Sequence, residues 1–343
     1  MSAFDVKSLT LTELQGEMKK IGLAKYRAGQ LYSWIHQKGA QSYDQMSDLP
    51  KELRSSFSLH FPILDINIIK KQESKFDGTI KYLFRLNDGE FIESVLMQYK
   101  YGYTLCVSTQ VGCRMGCKFC ATAIGGLIRN LRPSEMLDQI YLAQQDLNIR
   151  ISHIVLMGMG EPLDNFKNVM RFLELVSDEN GLNIGMRNIS LSTCGIVPAI
   201  YLLLDKHLQL TLSVSIHAPN DEIRSQIMPV NDKYNFEMLL DVCRTYAKTT
   251  SRRISFEYAM LEEINDSAEC AKELAERVKG ILCHVNLIQT NEISENSFRR
   301  TTAQKLDNFK KILNENGINV TIRRSLGADI DAACGQLRSR LSK

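Results

Sequence analysis

The sequence has no apolar run approaching the roughly 20 residues that cross a bilayer, so a protein built of membrane-spanning helices is excluded. Its opening stretch, MSAFDVKSLTLTELQ, lacks the basic-then-apolar order of a secretory signal, and a cytoplasmic location is expected. Charge of one sign is scarce as well. With 42 Lys and Arg against 39 Asp and Glu the formal net charge is +3, too mild to identify a nucleic-acid partner and compatible with one if basic residues cluster. Low-complexity segments and short repeats are missing. What is present is an ordinary globular composition, 44% hydrophobic and 24% charged, over 343 residues, which favours one large α/β core with a small appendage. In a reducing compartment, nine cysteines point to chemistry and not to disulfide staples.

The first 62 residues read as a small helical unit. Thr10 and Glu13 make a capping box, and Leu11, Leu14, Met18 and Ile21 form an apolar stripe. Further helices are expected over Tyr26 to Gln37 and, with Pro50 as the first helical residue, through Lys51 to Ser58. Residues 63–98 read as a β-rich connecting segment, with strands at Asp65 to Ile69, Ile80 to Leu86 and Phe91 to Gln98 around the turn Asn87-Asp88-Gly89.

From about residue 99 to the end, strands alternate with helices, the pattern of a parallel sheet with right-handed crossovers. Six strands are expected at Thr104 to Ser108, His153 to Met157, Asn188 to Ser192, Leu210 to Ser215, Ile254 to Met260 and His284 to Ile288. A late strand follows at Asn319 to Ile322. Helices fit between them at Pro133 to Asp146, Ser267 to Val278 and Ala303 to Asn316, with Pro133 and Asp266 at helix starts. The expected fold is a partial (β/α)6 barrel, whose chemistry belongs in the loops at the carboxyl ends of the strands.

The loop after the first strand carries Cys113, Cys117 and Cys120 in a C-x3-C-x2-C run with Gly112 and Gly116. Three thiolates suit a [4Fe-4S] cluster with one iron left open, and an amino acid can chelate that iron, which places the sulfonium of S-adenosylmethionine (SAM) beside the cluster. Structural zinc wants four ligands in two pairs, and no second C-x-x-C exists here. A ferredoxin would want a nearby fourth cysteine followed by proline, which is also missing.

After the second strand, Gly158-Met159-Gly160-Glu161-Pro162 offers close backbone approach at Gly160 and a carboxylate, Glu161, for an ammonium group; alone, such a run is also what a tight turn looks like. Ser192 after the third strand, and Ser215, Ile216 and His217 after the fourth, are further SAM-binding candidates. A lone His217 reads equally as a satisfied core histidine.

Together these residues resemble the radical SAM methyltransferases of the RlmN type, which modify an adenosine of 23S ribosomal RNA, with the related Cfr resistance enzymes beside them. The resemblance covers almost the whole chain. It includes Lys25 to Gln30, the three-cysteine run, MGMGEPLDN from Met157, SIHAPND from Ser215, MPVN from Met228, HVNLI from His284 and DIDAACGQL from Asp329. It implies a radical SAM core over residues 99–343 and an N-terminal RNA-binding accessory domain.

The resemblance also assigns roles. Cys334 matches the residue that accepts a methyl group from one SAM. A second SAM, cleaved at the cluster, yields a 5′-deoxyadenosyl radical that takes a hydrogen atom from the S-methyl group. Cys106 matches the partner that resolves the protein–RNA adduct through a transient disulfide with Cys334. Glu93 falls where the family places a proton acceptor, although a strand glutamate is usually only solvent-facing. Asn291 matches a SAM contact, although Glu292 follows it where proline is usual. Cys194, Cys243, Cys270 and Cys283 read as small buried hydrophobes.

The partners implied are 23S rRNA, the adenosine 3′ of the anticodon in some tRNAs, and an electron donor such as flavodoxin or ferredoxin, with the enzyme a monomer. Lys19, Lys20, Lys25, Arg27, Arg129, Arg132, Arg323 and Arg324 are the basic residues available for RNA, or for solvated faces. Pro162 and Asp164 resemble the enzymes that methylate carbon-2 of adenine; the alternative is carbon-8, which gives antibiotic resistance. The reading from a different class is a non-catalytic iron–sulfur or zinc RNA-binding protein, such as a ribosome assembly factor.

Overall fold

A computed structural model of the chain describes residues 5–64, 66–290 and 298–338. Three helices open it: α1 (Leu11–Lys20), α2 (Tyr26–His36) and α3 (Lys51–His60). The capping box of α1 is formed, with the Glu13 N–H donating to Thr10 Oγ1 and the Thr10 N–H to Glu13 Oε2. Pro50 is the residue before α3 and has an extended ψ of 144°, so the helix begins one residue later than expected.

Among the described residues the main sheet has ten strands. Its antiparallel part is β1 (Asn67–Glu73), β2 (Ile80–Arg85), β3 (Phe91–Tyr99) and β4 (Gly102–Cys106). After the small hairpin β5 (Gln110–Gly112) and β6 (Leu127–Asn130), helix α4 (Pro133–Leu147) returns the chain to β7 (Ile151–Leu156), parallel to β4. Four further parallel pairings follow through α5 (Phe166–Ser177), β8 (Ile189–Thr193), α6 (Val197–Leu204), β9 (Thr211–Ser215), α7 (Asp221–Ile227), α8 (Phe236–Thr250), β10 (Ile254–Met260), α9 (Ala268–Val278) and β11 (Cys283–Gln289). Helix α10 (Ala303–Glu315) and β12 (Val320–Arg323) close the row, which runs β4-β7-β8-β9-β10-β11-β12. This is the expected six-unit partial barrel with a seventh strand, each crossover carrying at least one helix.

Two differences from the sequence reading matter for the site. Residues 67–99 are hydrogen-bonded into the barrel sheet, with Val95 of β3 opposite Cys106 of β4, so they extend the barrel wall beyond its first parallel strand. The hairpin β5–β6, unforeseen, carries the cysteine loop between its strands. A smaller correction concerns α9. Ser267 caps it by accepting the Cys270 N–H, while Asp266 binds Thr301 and Lys305 instead.

Alternation along the strands divides the wall. Leu191 and Val214 are buried in the core, whereas the neighbouring Ser192 and Ser215 line the barrel's cavity. The helical unit is fastened to α4 by a fully buried ion pair, Lys7 Nζ to Asp138 Oδ1 at 2.6 Å, and by His36 Nδ1 with the Tyr141 hydroxyl at 2.8 Å. Among the described residues no helix is long and apolar enough to cross a membrane.

Candidate active site

One cavity at the carboxyl ends of the strands brings together Cys113, Cys117, Cys120, Gly160, Glu161, Ser192, Ser215, His217 and Cys334. These residues come from five separate stretches of sequence, and the barrel is what makes them neighbours.

The cysteine loop is held on both flanks. Gly112, at the end of β5, has φ +74°, and a Cβ there would lie 1.9 Å from the Gly126 carbonyl oxygen. Only glycine lets the two strands of this hairpin close around the loop. The Cys113 N–H donates to that same carbonyl at 2.8 Å, and the Lys118 N–H to Ile227 O at 3.0 Å. Met115, Cys117 and Phe119 pack against a small apolar cluster that includes Ile227 and Met228. Burial pushes the Cys113 thiol up to about 12, so a thiolate there requires the charge of a bound metal group.

Among the described residues no three His, Cys, Asp or Glu side chains converge as a single metal ion would require. A cluster in which each thiolate takes a different iron asks for no such convergence, and three cysteines around an apolar-backed cavity fit it.

Glu161 is buried, and both carboxylate oxygens accept backbone N–H groups, from Leu163 at 3.0 Å and from Cys194 at 2.8 Å. Burial nonetheless holds its carboxyl above the usual range. An ammonium group arriving in this cavity would supply the missing positive charge. Gln110 sets the loop by accepting the Glu161 N–H and by donating to Asp164, which also takes Arg114 Nε at 2.8 Å.

His217 has φ +52° and lines the cavity with Nδ1 occupied, because that atom accepts the Ala259 N–H at 2.8 Å. The proton of the neutral ring therefore sits on Nε2. Burial, helped by Arg224, lowers its basicity to about 3. His217 is both the satisfied histidine and a cavity residue.

Two of the expected site residues, Ile216 and Glu93, stand apart from the cavity. Ile216 does not reach the cavity: its side chain is fully buried in the core, its N–H donates to Glu257 O and its carbonyl accepts Arg224 Nε. Asn291 lies outside the described residues, and the adjacent Thr290 lines the cavity with its hydroxyl on Met260 O. Glu93 is buried on β3 but does not line the cavity. Its Oε1 lies 3.5 Å from Lys81 Nζ and its Oε2 accepts the Arg338 N–H, while burial raises its carboxyl.

Cys334 is exposed on the cavity, and Cys106, buried at the end of β4, lies close enough for charge on Cys334 to help push its thiol up to about 12, after burial itself. Both are free thiols. Of the basic residues offered for RNA, Arg129 is committed to Asp88 and Glu135, and Arg323 lines the cavity 3.7 Å from Glu257. Two further residues belong to the site without any motif to mark them: Glu257, whose Oε2 is buried on the cavity wall without a hydrogen bond, and Cys194, a small buried residue whose backbone ties Glu161 to Arg224. An isolated strand glutamate and a motif-free cysteine carry no sequence signal of such roles.

Residues 107–278 match the model of the radical SAM superfamily, and residues 4–63 that of the ribosomal RNA large subunit methyltransferase N-terminal domain. The chain is 52% identical to the probable dual-specificity RNA methyltransferase RlmN of Lachnospira eligens, over 98% of this chain and 96% of the relative. It is 51% identical to that of Clostridium novyi, over 97% of each. A crystal structure of a radical SAM methyltransferase from Sphaerobacter thermophilus superposes with a TM-score of 0.95 at 42% identity, covering 98% of this chain and all of the other. With its cysteine triad, its glycine–glutamate loop and its N-terminal helical unit in place, the chain belongs to the RlmN-type family of radical SAM RNA methyltransferases.

Proposed function

We propose that this enzyme methylates carbon-2 of an adenosine in 23S rRNA and of the adenosine 3′ of the anticodon in some tRNAs, with Cys334 as the methyl carrier. The observation that carries this reading is that Cys334 shares one cavity with the cysteine triad, while Cys106 is buried at the end of β4 in the barrel wall.

Cys113, Cys117 and Cys120 would hold the [4Fe-4S] cluster, and Gly160, Glu161, Ser192, Ser215 and His217 would hold SAM, with the amino group on Glu161. When bound, cluster and SAM supply one-electron cleavage and hence a carbon radical beside Cys334. Cys334 first takes the methyl group as a thiolate, displacing S-adenosylhomocysteine. Its S-methyl carbon would then give up a hydrogen atom to the radical that cluster and SAM supply and bond to carbon-2 of the adenine, a carbon too poorly nucleophilic to attack SAM directly; the ring would lose its hydrogen as a proton and its one surplus electron to the oxidised cluster. Glu93, buried outside the cavity behind the Cys334 segment with its carboxyl raised by burial, is the residue the family resemblance assigns as acceptor of the ring proton. Cys106, losing its proton, attacks the Cys334 sulfur; the sulfur–carbon bond breaks, the carbon takes a proton to become the methyl group, and a disulfide remains.

The physiological reductant in this reading is a small flavodoxin or ferredoxin, and the enzyme acts as a monomer in the cytoplasm. Carbon-2 is favoured over carbon-8 by Pro162, which opens the turn that seats Glu161. Mass analysis of RNA methylated by the purified enzyme tests the choice: 2-methyladenosine is expected, and 8-methyladenosine as the main product overturns it. Cys334→Ala is expected to abolish turnover and Cys106→Ala to trap a covalent RNA adduct.

A further inference from the structure

The segment that carries Cys334 is fastened at both ends, and one of its fastenings is a group with no assigned role. On one side it meets the turn between β1 and β2. The Gly327 N–H donates to Asp77 Oδ2 at 2.9 Å, and Asp329 Oδ2 accepts the Lys75 N–H at 3.0 Å. The fit is tight: a Cβ on Gly327 would lie 3.0 Å from Thr79 Cγ2 and 2.7 Å from Ala332 Cβ. On the other side the segment meets the cysteine loop, where the Ala121 N–H donates to Gly335 O at 2.7 Å and Thr122 Oγ1 to Leu337 O at 2.7 Å.

Lys81 of β2 stands between these two fastenings. Its Nζ donates to Asp331 O at 3.2 Å and pairs with Glu93 at 3.5 Å, both side chains being more than nine-tenths buried. Glu93 in turn accepts the Arg338 N–H at 2.9 Å. Lys81 lies opposite Val95, which lies opposite Cys106, so the three share the inner face of the sheet. The lysine and the glutamate thus bracket the Cys334 stretch from below, one bonding before it and one after it.

A buried lysine costs free energy unless its hydrogen bonds and counter-charge are supplied, so this arrangement is maintained only while the segment is docked. A methyl carrier must meet three partners in turn, the methyl donor, the base and Cys106. Anchored ends with an exposed residue between them allow that small movement without letting the thiol drift.

We propose that Lys81 is the positioning residue that docks the Cys334 segment on the antiparallel wall and links that docking to Glu93, with the Asp77 turn as its second support. The proposal rests on the reading of Cys334 as methyl carrier.

The test uses the full chain with Lys81→Met, Lys81→Arg and Asp77→Ala. Two rates are read: S-methylation of Cys334 by mass spectrometry in single turnovers of the reconstituted enzyme with SAM, and diamide-driven formation of the Cys106–Cys334 disulfide in the cluster-free chain. Lys81→Met is expected to lower both by about tenfold, the scale of one charge-assisted hydrogen bond, with the KM for SAM unchanged. Lys81→Arg, which keeps charge and donors, is expected to recover most of the loss. Wild-type rates in Lys81→Met, or no recovery in Lys81→Arg, overturn the proposal.

If Lys81→Met fails to fold, Asp77→Ala decides the matter, since it removes an acceptor from an exposed turn and leaves the buried pair intact. A slower disulfide supports docking and an unchanged one overturns it. Absence of S-methyl-Cys334 in the wild type would refute the methyl-carrier reading itself, while the disulfide rates would still judge the docking.

Discussion

His217 Nδ1 accepts the backbone N–H of Ala259 at 2.8 Å, which fixes the tautomer of a ring that lines the cavity. With Nδ1 occupied and basicity lowered to about 3 by burial, this histidine presents a donor at Nε2 and does not act as a base near neutrality. His217→Leu leaves the Ala259 N–H buried without an acceptor, and a loss of about 1–3 kcal/mol in urea unfolding is expected. His217→Asn is expected to change the level of the methylation rate but not the shape of its profile between about pH 6 and 8. A wild-type inflection near 6.5 that disappears in this variant would show that the ring titrates during turnover.

Gly160 has φ +97°, and a Cβ there would lie 2.4 Å from Gln110 Cβ. Gln110 accepts the Glu161 N–H, so a displaced Gln110 displaces the carboxylate meant for SAM. Gly160→Ala is expected to weaken SAM binding by about tenfold, with about 1–3 kcal/mol of strain in the loop. Gly185→Ala, where nothing lies within 4 Å of the added carbon, is the control and should bind SAM as the wild type does.

How the sequence relates to this site depends on where each residue sits. Cys113, Cys117, Cys120 and Glu161 are legible because cluster and ammonium chemistry demand those residue types in loops at fixed spacing, and the structure brings all four to one cavity. The strands of the parallel row are legible in the sequence with ends displaced by a residue or two, whereas β1 runs four residues past its expected end and the hairpin β5–β6 has no counterpart. Hydrogen bonding set by neighbours decides such ends, as when Ser267, not Asp266, accepts the Cys270 N–H. Ile216 sits between two cavity residues while its own side chain is buried in the core, because side chains alternate along the strand end. Lys81, Glu257 and Cys194 were illegible. Their roles arise from long-range pairing, 250 residues apart for Lys81 and Asp331, which no local pattern encodes.

Two buried histidines make the fold sensitive to acid. His36 and His217 are each lowered to about 3, mainly by burial, from an ordinary value of 6.5. Below 6.5 the unfolded chain binds these protons and the folded chain does not, so stability falls as pH falls through the window from 6.5 towards 3. Each group contributes a slope of about 1.4 kcal/mol per pH unit in that window. His36→Phe removes one of them. Its urea-unfolding free energy is expected to lie below that of the wild type at neutral pH, because the Tyr141 hydroxyl loses its partner, and to converge on it as the solution is acidified. Parallel curves for the two proteins would rule out the neutral, buried state of His36.

Glu161 is the clearest place to separate charge from shape. Its Oε1 and Oε2 accept the N–H groups of Leu163 and Cys194, which ties the turn after β7 to the turn after β8. Burial works against the ionised form, and a bound cation beside the carboxylate opposes that effect by favouring ionisation. Glu161→Gln keeps the volume but turns one acceptor into a donor facing a backbone N–H, and it removes the negative charge. The expected result is a fall in SAM affinity of roughly tenfold to a hundredfold, the range for a hydrogen bond to a charged group, together with a small loss of stability. The discriminating measurement is binding of S-adenosyl compounds that lack the amino group. If Glu161 holds the ammonium, wild type and Glu161→Gln should bind the deaminated analogue equally weakly. An analogue that still distinguishes them would mean the carboxylate acts only by joining the two turns.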